Sequence, residues 1–156
     1  MNNKELLKEL EEKFAKMKQE LGFEANLDKL DRIFFIKDHI LREGFVSNYL
    51  SRQICFRIVD VYISWTNYLH SLIMPNPQNM LNMGEAKIFS QEEKMEITEL
   101  IKKAMEISSR SSLIGLTKDE EDEAKFIDEA VDLWKDIFKM KLTEIMKKIN
   151  GEWGRE

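Results

Sequence analysis

Residues 48–72 most narrowly limit what this chain can fold into. Ile54, Cys55, Phe56, Ile58, Val59, Val61, Tyr62, Ile63, Trp65, Tyr68, Leu69, Leu72 and Ile73 leave hardly a turn without an apolar side chain. The polar residues among them are ordered. Gln53, Arg57, Asp60, Ser64, Asn67 and Ser71 recur at intervals of four, three, four, three and four. That period lays them in one stripe along a helix and argues against a strand, whose period is two. A helix apolar on most of its sides has to be enclosed by other elements. Residues 48–72 are therefore expected at the centre of a helical domain. They do not read as a membrane span, because Arg57, Asp60, Asn67 and His70 interrupt them, whereas a span needs about 20 residues with few or no charges.

The flanking segments supply the enclosing helices. Leu7, Leu10, Phe14, Met17 and Leu21 form a narrow heptad seam that Gly22 closes. A seam this short needs a partner surface, so residues 1–22 are the part left to lie at the periphery or to meet a partner. Asn26 is placed to cap a second helix over 27–42, which Glu43-Gly44 ends. Ser47 or Asn48 is placed to cap the central helix, and Pro75-Asn76-Pro77 stops it. Residues 74–87 read as a loop that Met74, Met80, Leu81 and Met83 hold down on the core. Ser90 and Glu93 make a capping box for a fourth helix, with Met95, Ile97, Ile101, Ala104, Met105 and Ser108 inward. A Ser-rich break over Ser108 to Gly115 and a second capping box, Thr117 to Glu120, introduce the last helix. Ile127, Val131, Trp134, Phe138, Leu142, Ile145 and Ile149 set its register to near Asn150-Gly151. The expected fold is all-α: a single-domain antiparallel bundle of about five helices across residues 1–156.

Composition narrows the function classes. With 34% charged and 43% hydrophobic residues, the 156-residue chain can bury a core. One cysteine, Cys55, leaves no disulfide framework and no cysteine zinc site. A net charge of −5 argues against general nucleic-acid binding, so DNA is not an expected partner. Residues 1–21 alternate Lys and Glu and hold no signal-peptide core, which points to the cytoplasm and away from membranes.

Three sets of residues could carry chemistry. The stripe Gln53, Arg57, Asp60, Ser64 and Asn67, with His70 beside it, reads as a solvent strip, an interface seam or a ligand site. Glu92, Glu93 and Glu96, followed by Glu129 and Asp132, would place carboxylates on two helices that could face each other and hold Mg²⁺. That order resembles the all-α NTP pyrophosphohydrolases, which implies a metal meeting a nucleotide triphosphate. Arg32 and His39 lie two helical turns apart. The spacing resembles the motif of HEPN-type RNA-cleaving proteins, which implies acid–base work by His39 and phosphate binding by Arg32. The polar run Ser108 to Ser112 reads as a linker before an anion cradle, and Trp65, Trp134, Tyr62 and Phe138 as core packing. Capping and helix-dipole roles account for much of the acid pattern. The leading expectation is thus a non-enzymatic protein–protein interaction module that self-associates, as a homodimer, and needs no cofactor.

Overall fold

The computed structural model describes residues 2–155, and among them every regular element is helical. In chain order these are α1 (Asn3–Leu21), α2 (Leu27–Phe34), α3 (Ile36–Glu43), α4 (Leu50–Ile73), α5 (Met80–Ala86), α6 (Gln91–Thr117) and α7 (Glu120–Leu133). A π-helical turn (Trp134–Phe138) then carries α7 without a break into α8 (Lys139–Trp153). Counting that last rod as one, the described residues hold seven helices where about five were expected. No helix among them is long and apolar enough to cross a membrane.

The extra helices have identifiable causes. The expected second helix breaks at Phe35, which takes the left-handed conformation with φ 53°. The break is held from three sides. Phe35 N–H donates to Asp31 O, Lys37 N–H donates to the Asp31 carboxylate at 2.8 Å, and Arg57 Nε donates to Phe34 O at 2.7 Å. Within residues 74–87, Asn79 caps the short α5 through Leu81 and Asn82 N–H. Met74, Met80 and Leu81 do not lie on the core as expected but face solvent. What fastens this region is Glu85, which accepts from Tyr68 Oη at 3.0 Å and from Trp153 Nε1 at 2.9 Å.

The expected break at Ser108 to Gly115 is continuous helix. Three of the serine hydroxyls donate to helix carbonyls, Ser108 to Ala104 O, Ser109 to Glu106 O and Ser112 to Ser108 O, and Ser111 Oγ accepts from Arg52, so the run costs α6 little. The α6 core row is Ile97, Leu100, Ala104, Ile107, Ser108, Ser111 and Ile114, which turns Met95 and Met105 outward. Asp119, not Thr117, caps α7, and Thr117 donates its hydroxyl back to Ile114 O. Tyr49, not Ser47 or Asn48, stands before α4 and gives it no side-chain cap. The expected stops at Gly22 and Gly44 are present, both with positive φ.

The α4 helix packs on α1, α2, α3, α5, α6 and α7, most extensively on α6. Buried side chains from every helix except α5 join in one apolar cluster. The α1 seam is satisfied inside it: Leu6, Leu10, Phe14 and Met17 are buried, and α1 packs on α3, α4 and α7. Asp128 of α7 ties down the following turn by accepting from Glu24 and Ala25 N–H at 2.8 and 3.0 Å.

An aromatic knot fills the middle. Tyr62 lies 5.9, 6.1 and 5.1 Å from the ring centres of Phe34, Trp134 and Phe138. Its hydroxyl donates to Ala130 O at 2.6 Å, just ahead of the π turn. Replacing Tyr62 with Phe keeps the rings and deletes that bond. Ala130 O keeps its helical bond from Trp134 N–H, so the variant is expected to retain its helical circular dichroism and to lose about 0.5–1.5 kcal/mol in chemical denaturation, the net worth of one hydrogen bond.

Candidate functional site

The residues singled out in the sequence fall in separate places. Arg32 is exposed on α2 and His39 half-buried on α3, with the Phe35 break between them, so the two-turn stacking a single helix would give is lost. Burial lowers the His39 pKa, and the nearby Arg57 guanidinium lowers it further.

The carboxylates part in the same way. Glu93 closes the expected Ser90 box and pairs with Lys148 at 2.6 Å. Glu129 pairs with Arg110, and Glu92, Glu96 and Asp132 are exposed. Arg110 lies fourteen residues beyond Glu96 on α6, a rise of about 21 Å, so the two acid groups are not brought together. Among the described residues no three His, Cys, Asp or Glu side chains form a metal-binding group.

The α4 stripe divides. Asp60, Ser64, Asn67 and His70 are exposed. Gln53 and Arg57 are half-buried and serve the backbone: Gln53 Oε1 accepts from Ser47 N–H and Arg57 binds Phe34 O.

The concave site lies elsewhere. A groove of about 800 Å³ runs between α1, the start of α4, the end of α6 and the start of α7. Met17, Leu21, Leu50, Phe56 and Ile114 give it apolar walls, and both signs of charge line it: Lys13, Lys16, Arg52 and Lys118 with Glu20, Glu120 and Glu123. At its base Ser51 Oγ donates to Glu123 Oε2 at 3.1 Å.

Arg52 is fixed against α6. Its Nη2 donates to Ser111 O at 2.8 Å, Nη1 to Ser111 Oγ at 3.3 Å, and its guanidinium lies 4.4 Å from the Phe56 ring centre. A Cβ on Gly115 would sit 2.6 Å from Nη2. A glycine in the helix interior costs about 1 kcal/mol against alanine; here it makes room for the guanidinium.

Glu123 is only 6% exposed. Burial raises its pKa; the Ser51 hydroxyl and Arg52 oppose the rise, and Glu120 and Asp119 add to it. The fully buried Cys55 thiol is pushed up to about 12, first by burial and then by Glu123, so it is a packing group and not a nucleophile.

The sequence held a sign of this site. Glu123 precedes Ile127 by four and Val131 by eight, which puts it on the inward row of α7. Its place in the acidic run Asp119 to Glu123 hid it among helix-dipole acids. Arg52 and Ser51 carried no such sign, because their roles come from α6 and α7. Compared with family models, curated proteins and solved structures, the chain matches none.

Two measurements check the electrostatics. Because folding raises the Glu123 pKa, the folded state holds that proton more tightly than the unfolded chain. Its contribution to stability is complete below the ordinary glutamate value of about 4.3 and is lost as pH rises through the raised value. Glu123→Gln is therefore expected to melt above the parent protein at pH 7–8, with the gap closing toward pH 4. Cys55 is expected to resist iodoacetamide at pH 8 in the folded protein and to label quickly once denaturant unfolds it.

Proposed function

We propose that this chain is a non-catalytic helical interaction module that self-associates across the groove. The observation that carries the reading is a pair of aromatic side chains left in solvent on the groove wall: Tyr49 is 75% and Phe56 56% exposed. The α1 seam, spent on the chain's own core, no longer argues for a second copy. The surplus apolar surface of α4 still does, and Phe56 is where it emerges.

The occupant we favour is another copy, because the groove edge is self-complementary in charge. Exposed Lys16 and Glu20 line it from α1, and exposed Lys118 and Glu120 from the junction of α6 and α7. A two-fold contact presents the same patch from both sides, so each copy's lysines can meet the other's acids while the aromatic pairs close over the centre. Apolar contact of this kind tolerates moderate salt better than a purely ionic one. The scattering of the Arg32/His39 and carboxylate sets supports a binding role over hydrolysis.

Light scattering on a sizing column tests this. The mass is expected to rise toward a dimer as concentration increases. Phe56→Asp and, separately, Tyr49→Asp should hold the protein at monomer mass with unchanged helicity. Burying one such ring is worth about 1.5–3 kcal/mol, and it counts twice in a two-fold contact. A parent protein that stays monomeric at millimolar concentration overturns the proposal.

A further inference from the structure

The base of the groove offers a chemical group that its edge does not, an acid on a nearly enclosed side chain. Glu123 is 94% buried by its 6% exposure, yet it lines an open space of about 800 Å³. Among the described residues Ser51 is its one hydrogen-bond donor, and that bond goes to Oε2. Among them, too, no shielded side-chain oxygen or nitrogen lacks a partner, so Oε1, which has none, opens into the groove.

A carboxylate oxygen that no protein donor reaches, open to the groove on a side chain otherwise enclosed, is free to take a cation or an N–H from a ligand. No nearby base donates a hydrogen bond to that oxygen, and Arg52 acts on Glu123 through its charge alone. Arg52 is spent on Ser111 and Phe56, and Lys13 on Glu9, Val46 O and the Asn48 side chain. Lys16 and Lys118 are exposed at the edge. The deep group that remains short of a partner is an acid, which selects against an anionic ligand. Around it, Met17, Leu50 and Ile114 offer apolar contact. The volume falls in the range of small-molecule sites, about 300–1,000 Å³.

We propose that the base of this groove binds a small organic ammonium ion, the cation on the open oxygen of Glu123 and the apolar stem along Leu50, Ile114 and Met17. The inference uses the groove but not the dimer. The site lies beneath the Tyr49 and Phe56 edge, and its occupancy is read separately from the mass of the protein.

The experiment is an amide-resonance titration of the full chain with hexylammonium, and with hexanol and hexanoate as neutral and anionic counterparts. Hexylammonium is expected to shift the Ser51, Arg52, Ile114 and Glu123 amides saturably, with neither counterpart doing so. Glu123→Gln, which keeps an acceptor for Ser51, should weaken binding by about 30-fold or more, as when one member of a buried charge pair is removed. Glu120→Gln, which removes an exposed acid at the edge, should change it less than about threefold.

Equal or tighter binding of hexanoate, no saturable shift with hexylammonium, or an unchanged Glu123→Gln of native helicity each overturns the proposal. A blocked Ala-Lys-Ala peptide binding more tightly than hexylammonium overturns the small-molecule source and gives the site to a lysine of a partner. Amine binding by a protein of monomer mass would leave this inference standing and remove self-association. A dimer indifferent to amine would do the reverse.

Discussion

Tyr62 has to hide a ring and satisfy a hydroxyl at the same depth, and the elements around it are arranged to let it do both. Phe34, Trp134 and Phe138 surround the ring, so α2, α4 and the last rod meet at one point. The hydroxyl bond to Ala130 O fixes which turn of α7 faces α4. Burial pushes the Tyr62 phenol upward, which keeps it a donor at any ordinary pH. Edge-to-face ring contacts add a directional preference that aliphatic packing lacks. The position of α7 against α4 follows, and with it the approach of Glu123 to Ser51 three turns away.

The central helix was legible because its evidence was local. The apolar surround and polar stripe of residues 48–72 lie in one continuous segment, and a helical period survives any arrangement of neighbours. The same holds for Gly22, Gly44 and the Ser90–Glu93 box. The break at Phe35 was not legible, since the residues that hold it include Arg57, a turn and a helix away in sequence. A phenylalanine in the left-handed region costs about 1–2 kcal/mol in isolation, and nothing in its neighbours announces the compensation. The serine run misled for a related reason. Serine is a poor helix former when its hydroxyl competes with the backbone, but in α6 the hydroxyls return to helix carbonyls, and Ser111 meets Arg52.

The candidate site shows the same division. Burial of Glu123 could be read from its helical row, whereas the groove over it could not, because four separate elements make its walls. Its residues pull in two directions. The edge carries aromatic surface and mixed charge, suited to a broad contact. The base carries one acid that the chain itself leaves half served. Gly115 belongs to the same economy of space: without a side chain it lets a guanidinium lie flat against α6, where it screens Glu123 in part and denies the groove a mobile cation.

The π turn has a consequence for how the chain tolerates insertion and deletion. Lys139 N–H reaches back five residues to Trp134 O, so this stretch winds more loosely than the helix on either side. Each residue of an α-helix advances about 100° around the axis. Removing one residue between 134 and 138 would tighten the stretch into ordinary helix at no loss of backbone bonding. Lengthening it by one elsewhere in the rod would swing Leu142 and Ile149 off the core by the same angle, since both are buried only in the present phase. The loose winding is thus a phase adjuster that lets one unbroken rod satisfy two contact faces.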